Sequence, residues 1–270
     1  MLAIKNNLMA ENAARHLGIT YEALAASVER LSSGQRINTA KDDAAGLAVR
    51  ELMRADIVTL RQGSRNAQDG ISMLQTMEGA LETVDNLLVR MKQLAMQAAT
   101  GTYSDAQRAI MDQEFGELSD EIERIAGSPN FNGVNMLNSA GGSVSIVFGG
   151  ASDTITVDMT DATKTGLGID ALGIGSDTSA QAALVTLDTA INNATDARAA
   201  FGSKIRRLES TVEVINIQAE NLLAAESRIS DVDVATEMAA LTRNQVLANA
   251  GVAMLAQANT IPQMALSLLR

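Results

Sequence analysis

Apolar residues near the start of the chain recur with the spacing of a coiled-coil seam. The positions are alternately four and three residues apart: Ala10, Ala14, Leu17, Tyr21, Leu24, Val28 and Leu31. This spacing places all seven on one face of a helix and predicts that the face is buried against a partner. Gly34 is a typical helix stop. A polar spacer over residues 35–42 follows, in which Thr39 and Asp42 resemble a capping box that opens the next helix.

Helical patterns with the same alternation return four more times before the end of the chain. One runs from residue 40 to about 100. A second begins at the capping box of Ser104 and Gln107 and ends near Pro129, and a third runs from about 178 to 228. After Asp233 a last helix is predicted, with its apolar stripe at Val234, Met238, Leu241, Ala248, Val252 and Leu255.

The middle of the chain has a different pattern. Residues 139–180 hold 8 of the 20 glycines and 12 serines and threonines. These serines and threonines either lie in solvated turns or serve as glycosylation acceptors. Residues 144–148 and 155–159 each alternate apolar and polar side chains around a Gly-Gly turn, a pattern that predicts a β-hairpin. An isolated hairpin is marginal in water, so it should pack on the helices.

Helix length decides the predicted architecture. A helix of about 60 residues extends roughly 90 Å, whereas a compact domain of this size has a radius of gyration of about 18 Å. We therefore predict a mainly α fold: an elongated rod of long antiparallel, coiled-coil helices with a small β-hairpin region in mid-chain and paired terminal helices. The predicted domains are a terminal coiled-coil domain (1–42 and 231–270), a helical rod domain (43–138 and 178–230) and a hairpin part of that rod (139–177).

Composition argues against most kinds of active site. Cysteine is absent and His16 is the single histidine, so the sequence predicts no cofactor, no metal site and no enzyme. The net charge of −11 argues against binding to nucleic acid. Residues 244–269 carry no charge, yet six amides among them make membrane insertion unfavourable, and the N-terminus has no secretory signal pattern.

Several segments resemble the bacterial flagellin family. The resemblance rests on residues 29–46 (ERLSSGQRINTAKDDAAG), 64–71 (SRNAQDGI) and 131–134 (FNGV), and on the C-terminal runs 227–231 (SRISD), 255–259 (LAQAN) and 266–270 (LSLLR). It implies a secreted subunit that polymerises into the hollow extracellular filament used for motility, in a short form without large outer domains. Type III export, an export chaperone, and cap and hook-associated proteins are implied as well.

The resemblance also assigns roles to individual residues. The terminal helices would line the tube, with self-assembly carried by Leu17, Tyr21, Leu24, Val28, Leu31, Met238, Leu241, Val252 and Leu255. Arg90, Leu94 and Glu114 resemble the residues through which the flagellin-sensing Toll-like receptor 5 recognises the monomer. An inter-subunit contact is an equally good interpretation of these three, and the two roles are compatible.

Two other functions share some of these features. A hook–filament junction protein of the same superfamily would have the terminal helices without forming the main filament. A cytoplasmic signalling coiled coil would share the heptads, but it would need neither the Gly/Ser/Thr-rich hairpin nor the uncharged C-terminus.

Overall fold

The computed structural model describes residues 6–138, 141–150 and 152–268. Within these ranges the elements are α1 (Leu8–Ser33), α2 (Ala44–Ala98), α3 (Asp105–Gly127), β1 (Ser143–Val147), β2 (Thr154–Asp158), α4 (Asp177–Ser230) and α5 (Val234–Leu268). The mainly α fold class with a small hairpin and paired terminal helices is confirmed. The last two residues of the 266–270 motif lie outside the described ranges.

Local signals define several helix ends. Gly34 ends α1 in the left-handed conformation (φ 72°) and donates its N–H to Arg30 O. The Gln107 side chain accepts from Ser104 N at 3.0 Å, so the predicted capping box opens α3. The box predicted at Thr39 is wrong. Residues 38–42 instead form a turn, and the Asp43 carboxylate accepts from Gly46 N at 2.9 Å to cap α2, because it is the residue that immediately precedes the helix.

Contacts divide the chain into two compact units. One comprises residues 1–57 with 220–270, and the other residues 58–219. The first holds α1, α5 and the spacer between α1 and α2. The second holds α3, the hairpin and the greater part of α2 and α4.

The second unit has the deeper core. Large side chains of α2 are at most 1% exposed, among them Leu74, Met77, Leu81, Leu88 and Met91. They pack against residues of α3, α4 and the hairpin in two clusters. Across α2 and α4, the guanidinium of Arg198 binds Glu78 Oε1 at 2.8 Å and Asp85 Oδ2 at 3.3 Å, and the hydrogen bond to Glu78 raises the pKa of Arg198.

The predicted hairpin is confirmed and packs on α2. Strands β1 and β2 are antiparallel, with Val144 opposite Val157 and Ile146 opposite Ile155. Two glycines of α2 admit the hairpin closely: a Cβ on Gly63 would lie 1.9 Å from Phe148 O, just after β1, and one on Gly70 would lie 2.4 Å from Ile146 Cδ1 in β1. The missing side chains leave the room that the hairpin needs to reach the helix backbone.

Candidate self-assembly surface

The two terminal helices pack against each other in antiparallel orientation. Asn7 caps α1 by accepting from Ala10 N, and its Nδ2 donates to Ala258 O on α5 at 2.8 Å. At the other end of the pair, Arg30 lies 3.7 Å from Glu237. Helices α1 and α5 are therefore linked near both ends of α1.

A short backbone junction continues this pairing beyond the helix ends. Gln35 forms an antiparallel bridge with Asp231, Arg36 N donates to Ser230 O at 2.6 Å, and Val232 N donates to Gly34 O at 3.1 Å. The predicted spacer over residues 35–42 thus begins with an ordered two-stranded contact.

The junction is held by a buried arginine that sequence reasoning missed. Arg50 is 7% exposed, and its NH1 donates to Ile37 O at 2.7 Å and to Gln35 Oε1 at 3.2 Å. An arginine at one position of a helix carries no pattern that distinguishes it from a solvated charge. Only the path of the spacer shows that it satisfies the carbonyl group of the buried Ile37.

Two aspartates stabilise the turn between α1 and α2 and the start of α5. Asp42 accepts from Thr39 N at 2.9 Å and from the Thr39 hydroxyl, and these hydrogen bonds lower its pKa, as does the positive charge of Arg30. Asp233 caps α5 by accepting from Thr236 Oγ1 at 2.7 Å and from Ala235 N at 3.0 Å, which lowers its pKa likewise. Both carboxylates are therefore ionised at neutral pH and hold these turns.

The contact between α1 and α5, called the seam below, includes only about half of the residues in the predicted stripes. Leucines at one heptad position are half-buried: Leu17, Leu24 and Leu31 on α1, with Leu241 and Leu255 on α5. Between these leucines, the seam contains smaller or polar residues. They are Ala13, Thr20 and Ser27 on α1, and Glu237, Asn244, Gly251 and Ala258 on α5. A Cβ on Gly251 would lie 3.0 Å from Leu17 Cδ1, so small side chains at this position permit the close approach.

The other predicted stripe residues are not in the seam. Tyr21, Val28, Met238 and Val252 are between 47% and 52% exposed. They are not buried against the partner helix, because α1 and α5 meet through the adjacent stripe of smaller side chains. Their role in self-assembly stays a prediction, and their exposure leaves them accessible to another copy.

The terminal pair buries little. Among the side chains of α1 and α5 that the structure describes, only Ser27, Ala248 and Ala258 are buried. Val234 of the predicted α5 stripe is exposed as well. Further exposed apolar side chains lie outside the predicted stripes: Leu8, Met9, Ile19, Val246, Leu247 and Met254. A groove of about 330 Å³ runs between the helices, with Met9 and Ala13 on one wall and Met254 and Ala258 on the other.

The predicted receptor residues lie in two different environments. Arg90 Nε and NH2 bind Glu114 Oε1 at 3.1 and 2.7 Å, and both side chains are about half exposed. Leu94 is 2% exposed, so its predicted surface or inter-subunit position is wrong. Because α2 packs against both α3 and α4 here, its buried face is wider than the single stripe of Leu88, Met91 and Ala95.

Other candidate chemistry is limited in the described parts of the chain. His16 is exposed on α1. No group of three or more histidines and carboxylates that could hold a metal ion occurs among the described residues. No described helix is long and apolar enough to cross a membrane.

Two family profiles match most of the chain. The bacterial flagellin N-terminal helical region matches residues 4–141, and the bacterial flagellin C-terminal helical region matches residues 184–269. Both terminal helices fall within these matches.

Full-length relatives and a solved structure agree with the profiles. The chain is 43% identical to a flagellin of Halalkalibacterium halodurans over 272 residues and 42% identical to flagellin FlaB2 of Treponema pallidum over 291, with each pair of chains covered completely. The crystal structure of Bacillus cereus flagellin superposes with a TM-score of 0.52 at 37% identity, covering 60% of this chain and 94% of that one. The chain belongs to the bacterial flagellin family, the secreted structural subunits of the extracellular filament that drives motility.

Proposed function

We propose that copies of this chain join into the filament through the exposed apolar faces of α1 and α5. In this proposal the terminal domain, residues 1–42 and 231–270, forms the inner wall of the tube. The spacer over 35–42 connects it to an outer layer made of residues 43–138 and 178–230, with the hairpin region 139–177 as part of that layer. The proposed self-assembly residues are the nine assigned from the sequence: Leu17, Tyr21, Leu24, Val28, Leu31, Met238, Leu241, Val252 and Leu255.

The observation that carries the proposal is the incomplete burial of the terminal pair. Its leucines are only half-buried, and a second set of apolar side chains on both helices faces away from the seam. Most helix stability in proteins comes from packing an apolar face, and exposed apolar patches of this kind mark interaction sites. Further copies of the same two helices would complete the packing.

The geometry of such a contact explains an open polymer. A contact between two different surfaces of identical copies, repeated without closing, generates a helical filament. The resulting function is mechanical and requires no catalytic turnover. The uncharged run over residues 244–269 suits a crowded inner wall, where like charges in a poorly solvated space would repel.

Aspartate substitutions on the exposed stripe test the proposal. We expect Val28→Asp and Val252→Asp each to abolish seeded polymerisation, or to raise the critical concentration at least about tenfold, because a charge would be buried between copies. Electron microscopy and sedimentation measure the polymer. Val185→Asp is the matched control, since Val185 is an exposed valine on α4, outside the terminal helices.

The fold of each variant is checked independently. Neither substitution should change the helix content of the free subunit measured by circular dichroism, because Val28 and Val252 lie outside the α1–α5 seam. Normal filaments from both terminal variants would contradict the proposal.

Further partners follow from membership in the family and are part of the proposal. An export chaperone, cap and hook-associated proteins would handle the chain before and during assembly, and type III export would deliver it. Their sites would overlap the terminal helices, whose apolar faces need cover until polymerisation.

Recognition of the free subunit by Toll-like receptor 5 is proposed in a modified form. Arg90 and Glu114 are accessible and would contact the receptor or a neighbouring subunit, whereas Leu94 supports them from the core. Polymerisation would hide the site if the same surface also contacts another copy.

A further inference from the structure

The methionines whose side chains the structure describes differ in exposure, and Met53 and Met159 are half-buried. Those of the core are at most 9% exposed: Met73, Met77, Met91, Met111 and Met136. Four others are between 47% and 68% exposed: Met9, Met96, Met238 and Met254. Methionine thioethers are the chain's only sulfur groups, because cysteine is absent. Exposure therefore decides which sulfur atoms an oxidant reaches first.

Three of the four exposed methionines lie on the terminal helices. Met9 on α1 and Met254 on α5 line opposite walls of one groove, together with Ala13, Ala258 and Ile261. Met238 belongs to the exposed stripe of α5. Met96 is on α2, in the second compact unit. Oxidisable sulfur is thus concentrated on the surface proposed to bury itself between copies.

We propose that Met9, Met238 and Met254 are oxidation sites at which peroxides block incorporation of the free subunit. The inference rests on the proposed function of the terminal faces. A sulfur lone pair attacks one oxygen of hydrogen peroxide, the S–O bond forms and the O–O bond breaks. The departing hydroxide takes up the remaining proton and leaves as water. The thioether is oxidised by two electrons to the sulfoxide, and the peroxide is reduced.

The product is incompatible with an apolar contact. A sulfoxide is polar and accepts hydrogen bonds, and burying it without a donor is unfavourable. Besides alanine, isoleucine and methionine side chains, the groove is lined by two amides, Asn12 and Gln257. Sulfoxides at Met9 and Met254 in the groove, and at Met238 on the exposed stripe of α5, would add polar bulk to a mostly apolar contact and so oppose the approach of a second copy. Once the faces are covered in the filament, the same sulfur atoms are shielded from the oxidant.

Limited peroxide treatment of the free subunit tests the inference. Mass spectrometry should show the exposed methionines oxidised before the five core methionines, and the critical concentration for seeded polymerisation should rise at least about tenfold. The triple variant Met9→Leu, Met238→Leu and Met254→Leu should polymerise equally well before and after treatment, since leucine conserves volume and carries no sulfur. Met96→Leu, the matched control, should lose polymerisation as the unchanged chain does.

A second readout does not depend on the triple variant. Peroxide applied to assembled filaments should oxidise the three terminal-helix methionines at least about tenfold more slowly than in the free subunit. Reduction of the oxidised subunit by a methionine sulfoxide reductase, with a dithiol as electron donor, should restore polymerisation.

The outcomes separate the two proposals. Failure of the untreated chain to polymerise on filament seeds would overturn the proposed function. Unchanged polymerisation of a chain carrying all three sulfoxides would overturn the oxidation inference alone. So would equal oxidation rates of these methionines in subunit and filament.

Discussion

Leu94 and the Arg90–Glu114 pair, which joins α2 to α3, show that neighbouring side chains can lie in different environments. Arg90 and Glu114 are half exposed and linked by two hydrogen bonds, an arrangement that contributes little to stability at a surface. Leu94, one turn further along α2, is packed among side chains of α2, α3 and α4. The ion pair is therefore accessible to solvent, and the leucine belongs to the core beneath it.

Alanine substitutions should separate these two roles. We expect Leu94→Ala to lower the free energy of unfolding by about 2–5 kcal/mol, the usual effect of emptying a core leucine site. Arg90→Ala with Glu114→Ala should lower it by at most about 1 kcal/mol. Urea unfolding followed by circular dichroism measures both.

A receptor reporter assay on folded monomer completes the comparison. The double variant should signal less at full stability, whereas Leu94→Ala should lose signal only in proportion to its unfolded fraction. A stable double variant with undiminished signalling would remove Arg90 and Glu114 from the receptor site.

At the scale of elements, the glycines of α2 determine how the hairpin attaches. Gly63 and Gly70 are seven residues apart and face the hairpin, and the Asn66 side chain between them donates to Val147 O at 2.9 Å. Gly79, further along the same helix, has no atom from outside its own turns of helix within 4 Å of the place where a Cβ would stand. Glycine therefore permits the hairpin to pack on α2 at two positions, and it has no such role at Gly79.

Alanine at these positions should act with opposite signs. Gly63→Ala would place a methyl group 1.9 Å from Phe148 O, so the hairpin must move, and we expect a loss of about 1–3 kcal/mol. Gly79→Ala should stabilise α2 by up to about 1 kcal/mol through helix propensity alone. The urea midpoints of the two variants measure the difference. Equal, stabilising shifts would show that the hairpin does not depend on close approach at Gly63.

Helix ends and the hairpin could be predicted from the sequence, but the face of α1 that packs against α5 could not. The Ser104–Gln107 box and the αL stop at Gly34 involve bonds within a few residues, so their residue types suffice. The two alternating runs likewise predicted the hairpin. The heptads of α1 contain two neighbouring stripes, and periodicity alone does not say which one meets α5. Small side chains such as Gly251 decide this by allowing closer approach, and they leave Val28 outside the seam.

At the scale of the whole molecule, two opposing properties set the conditions for assembly. The chain carries a net charge of −11, so free copies repel one another at long range. Its terminal helices present apolar side chains that attract only at contact. If copies join through these faces as proposed, the repulsion must be screened or overcome before the faces meet.

Salt should shift this balance in a measurable way. Raising sodium chloride from 0.01 to 0.15 M shortens the Debye length from about 30 to about 8 Å, so we expect seeded growth to accelerate by about tenfold or more. Light scattering of seeded reactions measures the rate without a contribution from nucleation. Glu209→Gln with Glu213→Gln on α4 reduces the net charge from −11 to −9, and this variant should reach the same rate at lower salt. Growth that slows as salt is added would mean that attraction between charged groups, rather than apolar contact, drives the addition of each subunit.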